Sequence, residues 1–393
     1  MAEIQKRLDE LCQSITDCPH STPKWTSSGN IVIRNNNIKN GRLDLSNPSF
    51  TDDVDFNKRI QRATPESGDI IITREAPMGE VCRIPTGLKC CLGQRMVLLK
   101  PNYDLVDGDY LLFVLMSRGV QTQIMWSEGT GSTVSNLRIP HLCALSIPYL
   151  PIEKQRAIGR LLASLDEKIE INKQINDNLY QIVSANYSAH FGKLDMEKST
   201  IGSYAERIFS GGTPSTTTPA YWNGRFPWFS SGETRNRFVI STEKSITQSG
   251  IENSSTKLAS KYDIVMASAG QGFTRGQTSL LLLESYVNQS VIVIHASKEV
   301  LPFLFWNLSS RYEELRAISD SSSIRGSLTT KMIASFEIPK VDSASLLAFS
   351  EITWPIIHQI EKNLMENQRL SELRDSILPR LLSGEINVSN VPI

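Results

Sequence analysis

Apolar and polar positions along the chain follow two alternating styles. Residues 1–149 carry short apolar runs punctuated by Gly, Pro and Asn: Ile31-Val-Ile33, Asp69-Ile-Ile-Ile72 and Met96-Val-Leu-Leu99, each of which predicts a strand. Over residues 150–192 the period becomes helical. Ile158, Leu162, Leu165, Ile169, Asn172, Asn176, Leu179 and Val183 are spaced alternately four and three, the pattern of a heptad seam. Strand-like runs return over residues 200–341, with Asp263-Ile-Val-Met266 and Val291-Ile-Val-Ile294. A second seam follows over residues 342–386: Phe349, Thr353, Ile356, Ile360, Asn363, Asn367 and Leu370, drifting to Leu373 and Ile377. Trp354-Pro355 interrupts this run and predicts that the helix begins or kinks there, because proline lacks the N–H and crowds the preceding turn.

The two halves repeat one another. Ile169-Glu-x-Asn172-x-x-x-Asn176-x-x-Leu179 returns as Ile360-Glu-x-Asn363-x-x-x-Asn367-x-x-Leu370, an offset of 191 residues (360 − 169). Tyr110 through Arg118 matches Phe303 through Arg311, and the stretch from Ser132 to Pro148 matches Ser323 to Pro339. A period this long is domain duplication and not a solenoid. The pattern predicts an α+β fold with pseudo-twofold internal duplication: two mixed α/β domains, at residues 1–149 and 200–341, separated by two long antiparallel coiled-coil helices. Asn at a seam position lowers stability but fixes register, because a misaligned partner leaves a buried amide unpaired.

Composition narrows the function. No apolar run reaches the ~20 residues of a membrane span, and the amphipathic start MAEIQKRLDEL is unlike a signal peptide, so a cytoplasmic protein is expected. The six cysteines, Cys12, Cys18, Cys82, Cys90, Cys91 and Cys143, all lie in the first half. A duplicated disulfide scaffold would carry them in both copies, so reduced thiols are expected, and no second cysteine pair completes a metal set with Cys12, Cys18 and His20. The net charge is zero, with 41 basic and 41 acidic side chains, which disfavours a nonspecific polyanion binder while leaving room for local basic faces.

Catalytic signals are weak. Asn47-Pro48-Ser49-Phe50 approaches an amino-methyltransferase loop but departs at its third position and reads as a turn. Gly270-Gln-Gly272-Phe-Thr-Arg-Gly276 is out of step with a dinucleotide fingerprint and reads as a loop. No GxxxxGK[ST] and no GxSxG is present, and the five histidines are scattered singly. The loops instead carry groups suited to nucleic acid: Arg for guanine, Asn and Gln for adenine, Ser and Thr for phosphate. The candidates are His20, Arg34, Asn35, Arg74, Thr130 and Ser132 in the first domain, and Arg235, Arg237, Gln271, Arg275 and Arg325 in the second.

Four stretches resemble the specificity subunit of type I restriction-modification systems. Ile15-Thr-Asp-Cys-Pro-His20-Ser-Thr-Pro23 is similar to the opening of a first target-recognition domain. Phe209-Ser-Gly-Gly-Thr-Pro214, followed by Tyr221-Trp222 and Pro227-Trp228, is similar to the opening of a second. Pro151-Ile-Glu-Lys-Gln155 with Leu165-Asp166-x-x-Ile169 resembles the family's repeat helix, with Lys-Gln in place of the usual Glu-Gln. Arg374-Asp-Ser-Ile-Leu-Pro379-Arg-Leu-Leu-Ser-Gly384 resembles its end, and Ser343-Ala-Ser-Leu-Leu347 departs from the Pro-x-x-Glu-Gln element. The resemblance implies a non-catalytic subunit that reads an interrupted, asymmetric double-stranded DNA site, one half per domain, across a gap set by the helices. It implies docking of two adenine methyltransferase subunits and of restriction-translocase subunits, to which S-adenosylmethionine, ATP and Mg2+ belong. The seam residues Leu165, Ile169, Asn172, Asn176, Leu179, Ile360, Asn363, Asn367 and Leu370 then form the coiled coil that these partners use. The alternatives are a stand-alone nucleic-acid adaptor, which would bind DNA well alone, and a methyltransferase, which would bind S-adenosylmethionine alone.

Overall fold

The computed structural model describes residues 4–126, 136–192, 197–270, 273–321 and 327–388. The chain divides into two compact units, residues 1–169 with 369–393, and residues 170–368. Each unit holds one strand-rich domain and a piece of both long helices, so the division runs through the helices and not only between the domains.

In the first unit an antiparallel sheet has the order Cys12–Asp17, Met96–Pro101, Ile70–Thr73, Val81–Arg83. Its apolar runs are explained by burial on both faces. Alternate side chains on a strand point to opposite sides: Ile70, Ile72, Val97 and Leu99 pack with Tyr110, Leu111 and Val114 of the helix Gly108–Met116. Ile71, Met96 and Leu98 pack with Ile33, Ile38 and Cys90. The latter come from a second layer, a sheet ordered Cys90–Leu92, Asn30–Ile33, Ser49–Thr51, Trp25–Thr26, whose first pair is parallel. Each fully buried Ile or Leu contributes about 1.5–3 kcal/mol.

The second unit repeats the plan with different residues. Its inner sheet runs Arg207–Ser210, Val291–His295, Ile264–Ala267, Thr278–Leu281, Phe238–Val239. Ile264, Met266, Ile292 and Ile294 face Phe303, Phe305 and Trp306 of the helix Leu301–Ser310, while Val265, Val291 and Val293 face Phe229, Val239 and Val287. The outer sheet runs Lys244–Ile246, Trp222–Phe229, Ser285–Val287, Lys257–Ala259, again with one parallel pair, Trp228 opposite Tyr286. A two-stranded antiparallel ribbon closes each domain beside a long helix: Gln5–Arg7 with Ser146–Pro148, and Lys198–Thr200 with Glu337–Pro339.

The predicted helices form as Ile152–Phe191 and Ser343–Leu382, 40 residues each. Gln155, fully buried, fixes the start of the first: its Oε1 accepts from Asp107 N at 3.0 Å and its Nε2 donates to Leu150 O at 2.8 Å. The second departs from expectation, since it runs unbroken through Pro355 and starts at Ser343. Asp342 explains the start. Its carboxylate accepts from Ser345 N at 2.9 Å and from Ser345 Oγ at 2.7 Å, an N-cap. Burial of Leu346, Phe349, Trp354 and Ile357 in one cluster then holds the helix together across the bond that proline omits.

Within the second unit the helix pieces run antiparallel through an asparagine ladder. Asn172 Nδ2 donates to Asn367 Oδ1 at 2.9 Å and to Glu366 Oε2 at 2.8 Å, and Asn363 Nδ2 donates to Asn176 Oδ1 at 2.8 Å. All four asparagines are buried, as is Ile360, while Leu179 is half-buried. Within the first unit an ion pair takes the ladder's place: Arg374 Nη1 to Asp166 Oδ1 at 2.6 Å, with Arg42 bonding the Asp166 carbonyl. Ile158, Leu161 and Leu162 pack there with Ile377, Leu378 and Leu381; Ile169 is buried, and Leu165 and Leu370 are half-buried.

Candidate nucleic-acid interface

The opening motif of the first domain builds a corner. Cys18 N donates to Met96 O at 3.0 Å as the chain leaves the strand Cys12–Asp17. Asp17 then meets two of the candidate residues: exposed His20, whose Nε2 lies 3.0 Å away, and Arg74, whose Nη1 donates at 2.7 Å. Arg74 also donates from Nε to Leu137 O at 2.9 Å and from Nη2 to Asn136 Oδ1 at 3.2 Å. The structure therefore corrects one expectation. Arg74 is buried and its guanidinium is spent inside the domain, as a brace between the two strand ends and residues 136–137.

Above this brace lies an open cleft of about 400 Å³. Arg34 and Asn35 line it, with Asn36, Trp25, Gln94 and Arg95. Arg34 lies over the exposed Trp25 ring, 5.1 Å from its centroid, an arrangement that presents a flat, oriented guanidinium. Asn35 donates to the Glu75 carbonyl, and its buried Oδ1 has no hydrogen-bond partner among the described residues. Arg95 adopts φ +65°, a left-handed conformation that costs a non-glycine residue roughly 1–2 kcal/mol, while its Nε sits 3.1 Å from Glu75. Gln94 donates to the His20 carbonyl and so draws His20 to the same rim. Trp25 and Arg95 were not legible as candidates, because their neighbourhood arises only from the pairing of distant strands.

In the second domain Phe209-Ser-Gly-Gly-Thr-Pro214 is a packing device. A Cβ on Gly211 would sit 2.0 Å from Val287 O, and one on Gly212 would sit 2.1 Å from Ser255 Oγ, so only glycine lets this segment cross the neighbouring strands. Trp222 and Trp228 stack edge to face beside it, at 5.0 Å. The domain's main cleft, about 480 Å³, is lined by Arg235, Asn236 and Arg237 with Lys173, Asn176 and Asp177. Arg237 lies 3.7 Å from the Tyr180 ring centroid and 3.9 Å from Asp177, and Arg235 pairs with Glu243. Arg275 stands apart from this group: its side chain is largely buried and pairs with Asp320. Thr130, Ser132, Gln271 and Arg325 lie outside the described residues.

Titratable groups at the start of the matching core strands are duplicated too. Asp69 caps the entry to one core strand, accepting from Glu66 N at 2.9 Å, with Lys100 at 3.4 Å. Asp263 does the same in the second domain, accepting from Ser260 N at 2.8 Å, with His295 Nδ1 2.5 Å from its Oδ1. Burial pushes both carboxyls above the usual range. All six cysteines are free. Among the described residues no group of three or more His, Cys, Asp or Glu could hold a metal, and no helix is long and apolar enough to cross a membrane.

Comparison with known proteins matches residues 3–181 and 193–374 to the family model described as the type I restriction modification DNA specificity domain. The type I restriction enzyme HindI specificity subunit of Haemophilus influenzae is 22% identical, over 74% of this chain and 80% of its own. The MjaIX specificity subunit of Methanocaldococcus jannaschii is 21% identical, over 82% and 79%. A crystal structure of a type I restriction-modification S subunit from M. genitalium shares the fold at a TM-score of 0.59 and 17% identity, covering 96% of this chain and 95% of that one.

Proposed function

The chain belongs to the family of type I restriction-modification DNA specificity domains, and from that premise we propose that it reads a bipartite, asymmetric double-stranded DNA site and directs partner subunits to it. Each half of the site falls to one domain. The reading assigns no chemistry to this chain: adenine methylation, with its S-adenosylmethionine, belongs to two methyltransferase subunits, and ATP and Mg2+ serve the restriction-translocase subunits. The paired helices set the gap between half-sites and supply the face on which the methyltransferases dock.

One observation carries the proposal. The same three-layer domain occurs twice, each copy closed by a two-stranded ribbon beside one of two antiparallel helices, yet the clefts are lined by different residues. A duplicated scaffold with dissimilar clefts suits a reader of two unlike half-sites, much as dimer geometry sets half-site spacing in symmetric DNA-binding proteins.

Genome-wide mapping of methylated adenines, in a host with and without this gene, tests the reading. Loss of one bipartite motif on deletion is expected. An unchanged methylation pattern, together with strong sequence-specific binding by the isolated chain, would favour a stand-alone DNA adaptor.

A further inference from the structure

Both domains contain the same small device at the rim of the cleft described above. In the first, the strand Asn30–Ile33 runs parallel to Cys90–Leu92 and leads into a tight 3-10 turn, Asn35–Asn37. In the second, the strand Trp222–Phe229 runs parallel to Ser285–Val287 and leads into the corresponding turn, Ser231–Arg235. The third residue of each turn points inward and is almost fully buried: Asn37 is 4% exposed and Glu233 2%. Asn37 Oδ1 accepts from Arg34 N at 2.9 Å while its Nδ2 donates to Asp44 O at 2.9 Å. Glu233 Oε1 accepts from Ser230 N at 2.8 Å while its Oε2 accepts from Glu243 N at 2.9 Å. In each case one buried side chain ties the first and last residues of a loop together.

What the loops carry is equally matched. Residues 34–44 bring Arg34, Asn35 and Asn36 to one cleft, and residues 230–243 bring Arg235, Asn236 and Arg237 to the other. Each loop holds a guanidinium over an aromatic ring, Arg34 on Trp25 and Arg237 on Tyr180. Arg and Asn are the side chains that form bidentate pairs with guanine and adenine edges, and such pairing requires a fixed backbone beneath them. We propose that residues 34–44 and 230–243 are the base-reading segments of their domains, and that Asn37 and Glu233 are the equivalent positioning residues that hold them. The inference rests on the DNA-recognition reading above and adds to it the segments responsible.

The test returns variants of the full chain to a host deleted for the gene and maps methylated adenines. Asn36→Ala and Asn37→Ala relax the base requirement in one half of the motif only, and Arg235→Ala and Glu233→Ala relax it in the other half only. Discrimination at an affected base pair falls about tenfold or more, as expected for one lost bidentate pair. Asn37→Asp, which keeps the acceptor for Arg34 N, restores part of the discrimination. If Asn37→Ala or Glu233→Ala lowers methylation at every site without changing the motif, the positioning role is overturned. If the surface variants Asn36→Ala and Arg235→Ala leave both halves unchanged, or alter the wrong half, the assignment of the loops is overturned. Failure of gene deletion to remove any motif would instead overturn the underlying reading of function.

Discussion

Replacing Asn172 by Ala removes two hydrogen bonds from the seam of the second unit, one to Asn367 Oδ1 at 2.9 Å and one to the Glu366 carboxylate at 2.8 Å. A neutral bond contributes about 0.5–1.5 kcal/mol and a charge-assisted one about 1.5–3 kcal/mol, while stripping a buried amide of a partner adds its desolvation. Asn172 is only 1% exposed, so little water can compensate. The single variant is therefore expected to lose about 2–4 kcal/mol in equilibrium urea unfolding. Asn367→Leu takes from Asn172 only the 2.9 Å bond and leaves its bond to Glu366, so it carries a smaller loss, about 1–2 kcal/mol. Asn172→Leu with Asn367→Leu is the informative combination. It replaces both amides with apolar groups of similar volume and loses at least ~1 kcal/mol less than Asn172→Leu and Asn367→Leu summed. That seam is stable but has lost the feature that penalises misalignment. If the two Leu substitutions simply add, or Asn172→Ala costs under ~0.5 kcal/mol, the ladder does not hold the helices in register.

Three further outcomes follow from the same geometry. Asp166→Ala in the first unit leaves the mostly buried Arg374 guanidinium, among the described residues, with the exposed Asp375 as its acidic partner, and should lower the unfolding free energy in urea by about 2–3 kcal/mol, below the 3–5 of a fully buried pair; an unchanged unfolding free energy would mean the pair is solvated. Asp263 has its pKa raised by burial, so the folded chain holds that proton more tightly than the unfolded one, and this contribution favours folding more as pH falls towards 4 and is lost as pH rises through the folded pKa. Asp263→Asn lacks the contribution, so wild type minus variant stability should grow between pH 6 and 4; a constant difference would contradict the shift. Inserting four residues after Ile169 and four after Gln368 adds one turn, about 6 Å, to both helices; the methylated motif should gain about one or two base pairs of gap, and an unchanged gap would count against the helices as the ruler.

The parts of this fold that were legible share a cause: their signal is local. Heptad spacing and the repeated asparagines predicted the two helices and the seam, because a buried amide is tolerated at that spacing only where a partner meets it. Apolar runs such as Asp69-Ile-Ile-Ile72 predicted core strands, because both faces of those strands are covered. The helix does not begin at Pro355 but runs through it from Ser343, since capping by Asp342 and the burial of Phe349, Trp354 and Ile357 outweigh one missing bond. The interface was harder. Arg34, Asn35, Arg235 and Arg237 line clefts, but Arg74 and Arg275 are held inside their domains, and nothing in the sequence separates a cleft-lining arginine from a braced one. Trp25 and Arg95 reach Arg34 only through strand pairings, and the Asn37–Glu233 equivalence is invisible until topology aligns the loops.

The central claim is that each domain reads its own half of one DNA site. Exchanging residues 1–149 for the first domain of another family member, and mapping methylated adenines in a host that carries the hybrid, tests it most directly. The account predicts a motif with one new half, the other half and the gap as before. A motif altered in both halves, or in neither, would contradict it.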